Sequence, residues 1–106
     1  MATLSDFQAL DLRIATVSSA ELHPNADRLL VLRIDIGGVE RQIVAGIRSS
    51  YDPASLVGKQ IVVVANLEPA TLRGVESQGM LLAARDGDRV AVVTPDSAVA
   101  SGSKVS

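Results

Sequence analysis

The chain of 106 residues has no cysteine and no tryptophan. Without thiols there is no disulfide framework, no thiolate zinc site and no cysteine nucleophile, whichever redox compartment the protein occupies. Its single histidine, His23, removes most His-based metal and acid–base sites as well. Aromatic residues are reduced to Phe7 and Tyr51. Small barrels that hold single strands stack bases on aromatic rings, so general single-strand binding is disfavoured. No apolar run approaches the ~20 residues of a membrane span, and the opening MATLSDFQAL has neither a basic nor an apolar signal region. A soluble, cytoplasmic protein with no membrane partner is expected.

The length suits one domain, residues 1–106, large enough to bury a core unaided. Ten basic residues against twelve acidic ones argue against coating nucleic acid by bulk charge. Lysine is scarce, Lys59 and Lys104, while the other basic residues are all arginine, whose planar fork is the better phosphate ligand. Any nucleic-acid binding therefore rests on local arginine geometry.

Along the chain, SDFQALD offers Ser5 or Asp6 as the N-cap of a short helix, with Phe7 and Leu10 on one face. LRIATVSSAEL alternates as a strand, with Leu12 and Ile14 on one side and Arg13, Ala15 and Val17 on the other. LLVLRIDI and ERQIVAGI form a hairpin about Gly37 and Gly38. In SSYDPASLVGK, Asp52 caps, Pro53 opens and Gly58 closes one short helix. QIVVVAN, GMLLAAR and DRVAVV are further strands, the last entered through DGD, and Val99 and Val105 pin a turn-rich tail. His23, in ELHPNADRL, ends the first strand in a turn. Five or six short strands with a helix after the third fit an all-β fold, a small closed barrel of the oligonucleotide/oligosaccharide-binding (OB) kind, with an SH3-like barrel or small sandwich also compatible with the pattern.

No catalytic constellation stands out. Ser77 has Glu76 and Gln78 beside it but the only histidine is remote in sequence, and the glycines form neither a phosphate loop nor a strand-GxGxxG-helix unit. A binding module is expected, with no cofactor and no metal. The polar stretch NLEPATLRGVESQGM, between IVVVA and LLAA, sets Asn66, Arg73, Ser77 and Gln78 on a rigid frame. Amides, hydroxyls and arginines of this sort suit an RNA recognised by shape, through phosphates and 2′-hydroxyls.

In that order, DLRIATV, HPNADRLLVL, IDIGG, RQIVAGIR, LVGKQIVVVANLEP and LRGVESQGMLLAA closely resemble the tRNA-binding domain. The C-terminal dimerising region of bacterial methionyl-tRNA synthetase, free-standing bacterial tRNA-binding dimers and CsaA-type export chaperones share that domain. The resemblance spans nearly the whole chain. It implies a five-stranded OB-fold barrel with a short N-terminal helix, one short inter-strand helix and extra C-terminal strand and turn elements. It also implies a non-catalytic homodimer that grips folded tRNA by shape, either free-standing or as the C-terminal domain of methionyl-tRNA synthetase.

Carried over residue by residue, the resemblance nominates Asn66 as an amide donor, Arg73 as a phosphate clamp, Ser77 as a hydroxyl contact and Met80 as an apolar platform. Gln78 and Arg48 follow as further tRNA contacts. Phe7, Leu10, Val90 and Val92 are the expected dimer surface. Family members often carry Lys or Arg on both sides of the loop proline, where this chain has Glu68 and Ala70, so weaker phosphate binding is expected. The alternative implied by the same resemblance is an export chaperone that takes unfolded or pre-export polypeptide. An aminoacyl-tRNA synthetase is the further partner of the first reading.

Overall fold

The computed structural model describes residues 1–106 throughout. In chain order its elements are α1 (Leu4–Gln8), β1 (Leu12–Leu22), β2 (Leu30–Asp35), β3 (Glu40–Ala45), a 3-10 turn (Pro53–Leu56) and β4 (Gln60–Val64). There follow β5 (Ala70–Leu72), β6 (Val75–Ser77), β7 (Met80–Leu81), β8 (Ala83–Asp86), β9 (Arg89–Val92) and β10 (Lys104–Val105).

The long strand β1 is the spine. One edge of its first half pairs antiparallel with β4, from Leu12 opposite Val64 to Thr16 opposite Gln60. The other edge takes β2 over Thr16 to Leu22, with β10 beside Leu12 and Arg13. The register shifts between Val17 and Ser19, and a bulge there adds the twist that lets one strand serve both halves of a curved sheet. β2 shows the expected alternation, with Leu30, Leu32 and Ile34 buried and Arg33 exposed. Those three join Ala15, Val17, Ile43, Ile61, Val63 and Leu56 of the 3-10 turn in one core cluster. Fully burying each large aliphatic contributes roughly 1.5–3 kcal/mol.

The strand order β3-β2-β1-β4-β7 leaves one seam, between β3 and the β6–β7 segment. Side chains and one backbone bond close it. Ser77 Oγ accepts from the Val44 N–H and donates to the Gly79 carbonyl, both at 2.9 Å. Gln78 Oε1 accepts from the Gln42 N–H at 3.1 Å, the Gln78 N–H donates to the Gln42 carbonyl at 2.8 Å, and Gln42 Nε2 reaches the Glu76 carbonyl at 2.9 Å. The result is a nearly closed, five-stranded antiparallel barrel of the OB-like type.

Two local expectations need correction, and one hairpin has no counterpart among them. The helix is capped by Thr3 rather than Ser5 or Asp6: Thr3 accepts from the Asp6 N–H and the Asp6 carboxylate accepts from the Thr3 N–H, a reciprocal capping box. GMLLAAR is two strands. The Leu82 N–H bonds to the Val62 carbonyl while the Val93 N–H bonds to the Leu82 carbonyl, so the chain changes partner at Leu82 and passes from β4 to the β8–β9 hairpin. NLEPATLRGVESQGM contains a separate two-stranded hairpin, β5–β6, with three residues on each side of the Arg73-Gly74 turn.

Candidate nucleic-acid interface

The β5–β6 hairpin turns in two residues, with Leu72 opposite Val75 and Arg73-Gly74 between them. Both central residues have positive φ, +52° and +89°, as the two-residue turn that matches strand twist demands. Gly74 adopts this without a side-chain penalty. Arg73 is the one non-glycine residue of the chain at positive φ, a conformation that costs on the order of 1 kcal/mol. The turn holds its guanidinium at an exposed tip, where Nη2 makes only a long bond, 3.4 Å, to the Asn25 carbonyl.

Asn25 belongs to the loop between β1 and β2, and two more arginines meet that loop. Arg28 lies within it, and Arg48, just past β3, donates from Nη1 to the Ala26 carbonyl at 3.4 Å and from its backbone N–H to the Arg28 carbonyl. None of the three forms an ion pair. The ion pairs of the fold, Arg13–Asp11 at 2.7 Å and Arg33–Glu40 at 3.5 Å, use other arginines. Two guanidiniums with spare donors, those of Arg48 and Arg73, therefore reach one loop that itself carries the exposed Arg28 and whose only acid is Asp27. That is the local arginine geometry that an acidic chain needs to hold phosphates.

The loop is tied to the hairpin from beneath by His23, which is buried. The Asn25 N–H donates to His23 Nδ1 at 2.9 Å, and His23 Nε2 lies 2.9 Å from the Leu72 carbonyl oxygen. Arg28 and His23 are the residues that sequence reasoning left out of the site. HPNADRL carries the turn signal, but no period in it shows that the loop folds against a hairpin 49 residues later.

The other nominated residues are dispersed. Asn66 sits by the opposite end of β1, about 30 Å along the strand from the His23 loop. Its Oδ1 accepts from the Asp11 N–H and its Nδ2 donates to the Ala9 carbonyl, both at 2.8 Å, so its amide fastens α1 to the barrel. Ser77 and Gln78 occupy the seam, with the Ser77 hydroxyl buried and already both donating and accepting. Met80 is half exposed in an apolar groove of about 500 Å³ that Leu67, Leu72, Ile47 and Val90 also line, with Glu68 and Arg85. Of the nominated dimer residues, Phe7 and Leu10 are each 42% exposed, whereas Val90 is a member of the core cluster and Val92 packs against it.

Asn66 gives a direct prediction. Asn66→Ala removes both side-chain ties at the C-terminal end of α1 and leaves only the Ala65 N–H bond to the Asp11 carbonyl there; α1 is a helix of five residues that buries none of them and is too short to persist alone. The expected result is loss of the α1 amide protection in hydrogen exchange and about 1–2 kcal/mol of stability.

The family model for the tRNA binding domain matches residues 12–104. The methionine–tRNA ligase of Thermotoga maritima is 58% identical over 104 residues, 98% of this chain and 16% of that protein. The methionine–tRNA ligase of Thermococcus kodakarensis is 50% identical over 103 residues, 97% of this chain and 14% of that protein. The chain thus spans a small part of the curated relatives it matches. Among solved structures, a MetRS related protein from Pyrococcus horikoshii superposes with a TM-score of 0.92 at 34% identity, covering 99% of this chain and 97% of its own. The chaperone CsaA of Bacillus anthracis superposes with a TM-score of 0.91 at 36% identity, covering 100% of this chain and 99% of its own. No helix is long and apolar enough to cross a membrane. By the family match and these relatives together, the chain belongs to the tRNA binding domain family.

Proposed function

We propose that the chain is a non-catalytic module that binds folded tRNA through phosphate contacts made by Arg28, Arg48 and Arg73. The observation that carries this reading is the convergence of three arginines, none of them ion-paired, on the loop between β1 and β2. Met80, half exposed in the groove that Leu72 also lines, supplies an apolar contact at a distance from them. Asn66, Ser77 and Gln78 act by holding α1 and the seam in place. The module serves an aminoacylation partner by raising the local concentration of tRNA, either as an appended part of a methionine–tRNA ligase or as a separate chain.

A second copy would double the number of phosphate contacts without a basic monomer. Support for a homodimer comes from α1 and the turn after it, which leave Leu4, Phe7 and Leu10 exposed, with none of the residues of α1 buried. The groove lined by Met80, Leu67 and Leu72 supports a second reading, in which unfolded polypeptide is held as a chaperone would hold it.

The experiment is a titration of the chain with total tRNA at 50 to 200 mM salt, with an unfolded polypeptide as the parallel ligand. Three phosphate contacts per chain predict a slope of log affinity against log salt of roughly −2 to −3 for each chain engaged. Binding of polypeptide with no tRNA binding at the lowest salt would replace the first reading by the second.

A further inference from the structure

His23 is the only histidine of the chain and is 3% exposed, yet contact with a ligand gives it no part to play. Its two ring nitrogens face partners of opposite kind. A backbone N–H, that of Asn25, points at Nδ1, and a backbone carbonyl, that of Leu72, lies at Nε2. An N–H can only donate and a carbonyl can only accept. Both bonds form together in one state alone, the neutral imidazole carrying its proton on Nε2.

We propose that neutral His23 is the positioning residue that registers the β1–β2 loop against the β5–β6 hairpin, so that Arg28, Arg48 and Arg73 form one surface only in that protonation state. The proposal rests on the tRNA reading above. Protonation puts a second N–H on Nδ1, directed at the Asn25 N–H, and two donors then face each other. The loop bond is lost and either the ring or the loop must turn away. Asn25 is also the residue whose carbonyl accepts from Arg73, so a shift of the loop releases the hairpin tip as well.

The charged groups of the surrounding elements are Glu21 at the end of β1, Asp27 and Arg28 in the loop, Arg48 after β3, and Arg73 and Glu76 in the hairpin. None of them is bonded to the ring, whose partners are the two backbone groups. Acidification makes the whole chain more positive, which by itself strengthens binding to RNA. Loss of loop register weakens it. The sign of the pH effect therefore separates this device from bulk charge.

The test measures tRNA affinity at pH 8.0 and pH 5.5, at fixed salt, for the wild type and His23→Gln, together with the Asn25 and Gly74 amide resonances. The wild type should lose affinity on acidification, with both amides moving and the melting transition still cooperative. His23→Gln keeps a donor toward the Leu72 carbonyl but has no ring to titrate. It should bind several-fold more weakly than the wild type at pH 8.0 and then hold or gain affinity at pH 5.5. Wild-type affinity that is constant or rises on acidification overturns the proposal, as does a His23→Gln profile that falls in parallel with it.

Should His23→Gln fail to fold, the imidazole nitrogen resonances of the wild type decide instead: a proton on Nδ1 at pH 8.0 overturns the proposal. Absence of tRNA binding at pH 8.0 refutes the tRNA reading and the functional half of this one. The amide titration still shows whether His23 couples loop and hairpin.

Discussion

Replacing Arg28, Arg48 and Arg73 together by glutamine is expected to lower tRNA affinity about 100-fold near 0.15 M salt. Each phosphate contact releases counterions with a slope of about 0.7–0.9, which at that salt is worth roughly fivefold per contact, and three independent contacts multiply. The salt slope should flatten by roughly 2 to 3 for each chain engaged. Glutamine is chosen because its amide can still donate toward the Asn25 and Ala26 carbonyls that Arg73 and Arg48 now meet, so the loop keeps its local partners. A control with Arg33, Arg85 and Arg89 replaced by glutamine makes the same change in net charge away from the loop. If the control loses as much affinity as the triple variant, the binding is a property of total charge and the site is misplaced.

A large effect on stability is expected from Gly79→Ala. At φ +151° Gly79 occupies backbone space that L residues rarely adopt, and a Cβ there would stand 3.1 Å from the Val64 carbonyl oxygen, a backbone atom that cannot swing aside. The backbone strain costs about 1–3 kcal/mol. The clash adds to it, since Val64 and Met80 are paired across β4 and β7 and the Gly79 carbonyl accepts the Ser77 hydroxyl that closes the seam. A total of about 3 kcal/mol corresponds to a fall in melting temperature of roughly 12 °C or more for a domain of this size. Gly38→Ala is the matched comparison: its φ is +91°, but nothing lies within 4 Å of the added Cβ, so only the strain of about 1 kcal/mol remains. Equal losses in the two variants would mean that β7 moves aside freely and that the seam is not tightly built.

The barrel was legible because each long strand carries its own signal. Alternation in β2, the branched run of β4 and the glycine turn before β3 all act over neighbouring residues, and the observed strands follow them. The seam was not legible, because it is made by side chains standing in for a strand. Ser77 and Gln78 read as polar surface in sequence, and only their meeting with Val44 and Gln42, 33 and 36 residues away, turns them inward. Asn66 is similar: an amide in a loop looks available until Ala9 and Asp11 are seen to occupy it. Arg73 stood out in sequence as an arginine between two apolar strands, but its partner loop, and with it Arg28, depends on a contact spanning 48 residues. Val90 followed the apolar pattern expected of a dimer surface, yet the barrel of one chain already buries it.

The most direct test of the tRNA site is amide chemical-shift mapping as tRNA is added to the isotope-labelled chain at low salt. Binding through the arginine surface predicts that perturbations concentrate on residues 23–29, on Arg48 and on the hairpin tip at Arg73 and Gly74, while the α1 segment and the β8–β9 hairpin stay close to their free positions. Perturbations confined to the groove about Met80 and Val90, or to α1, with the 23–29 loop unmoved, would contradict it.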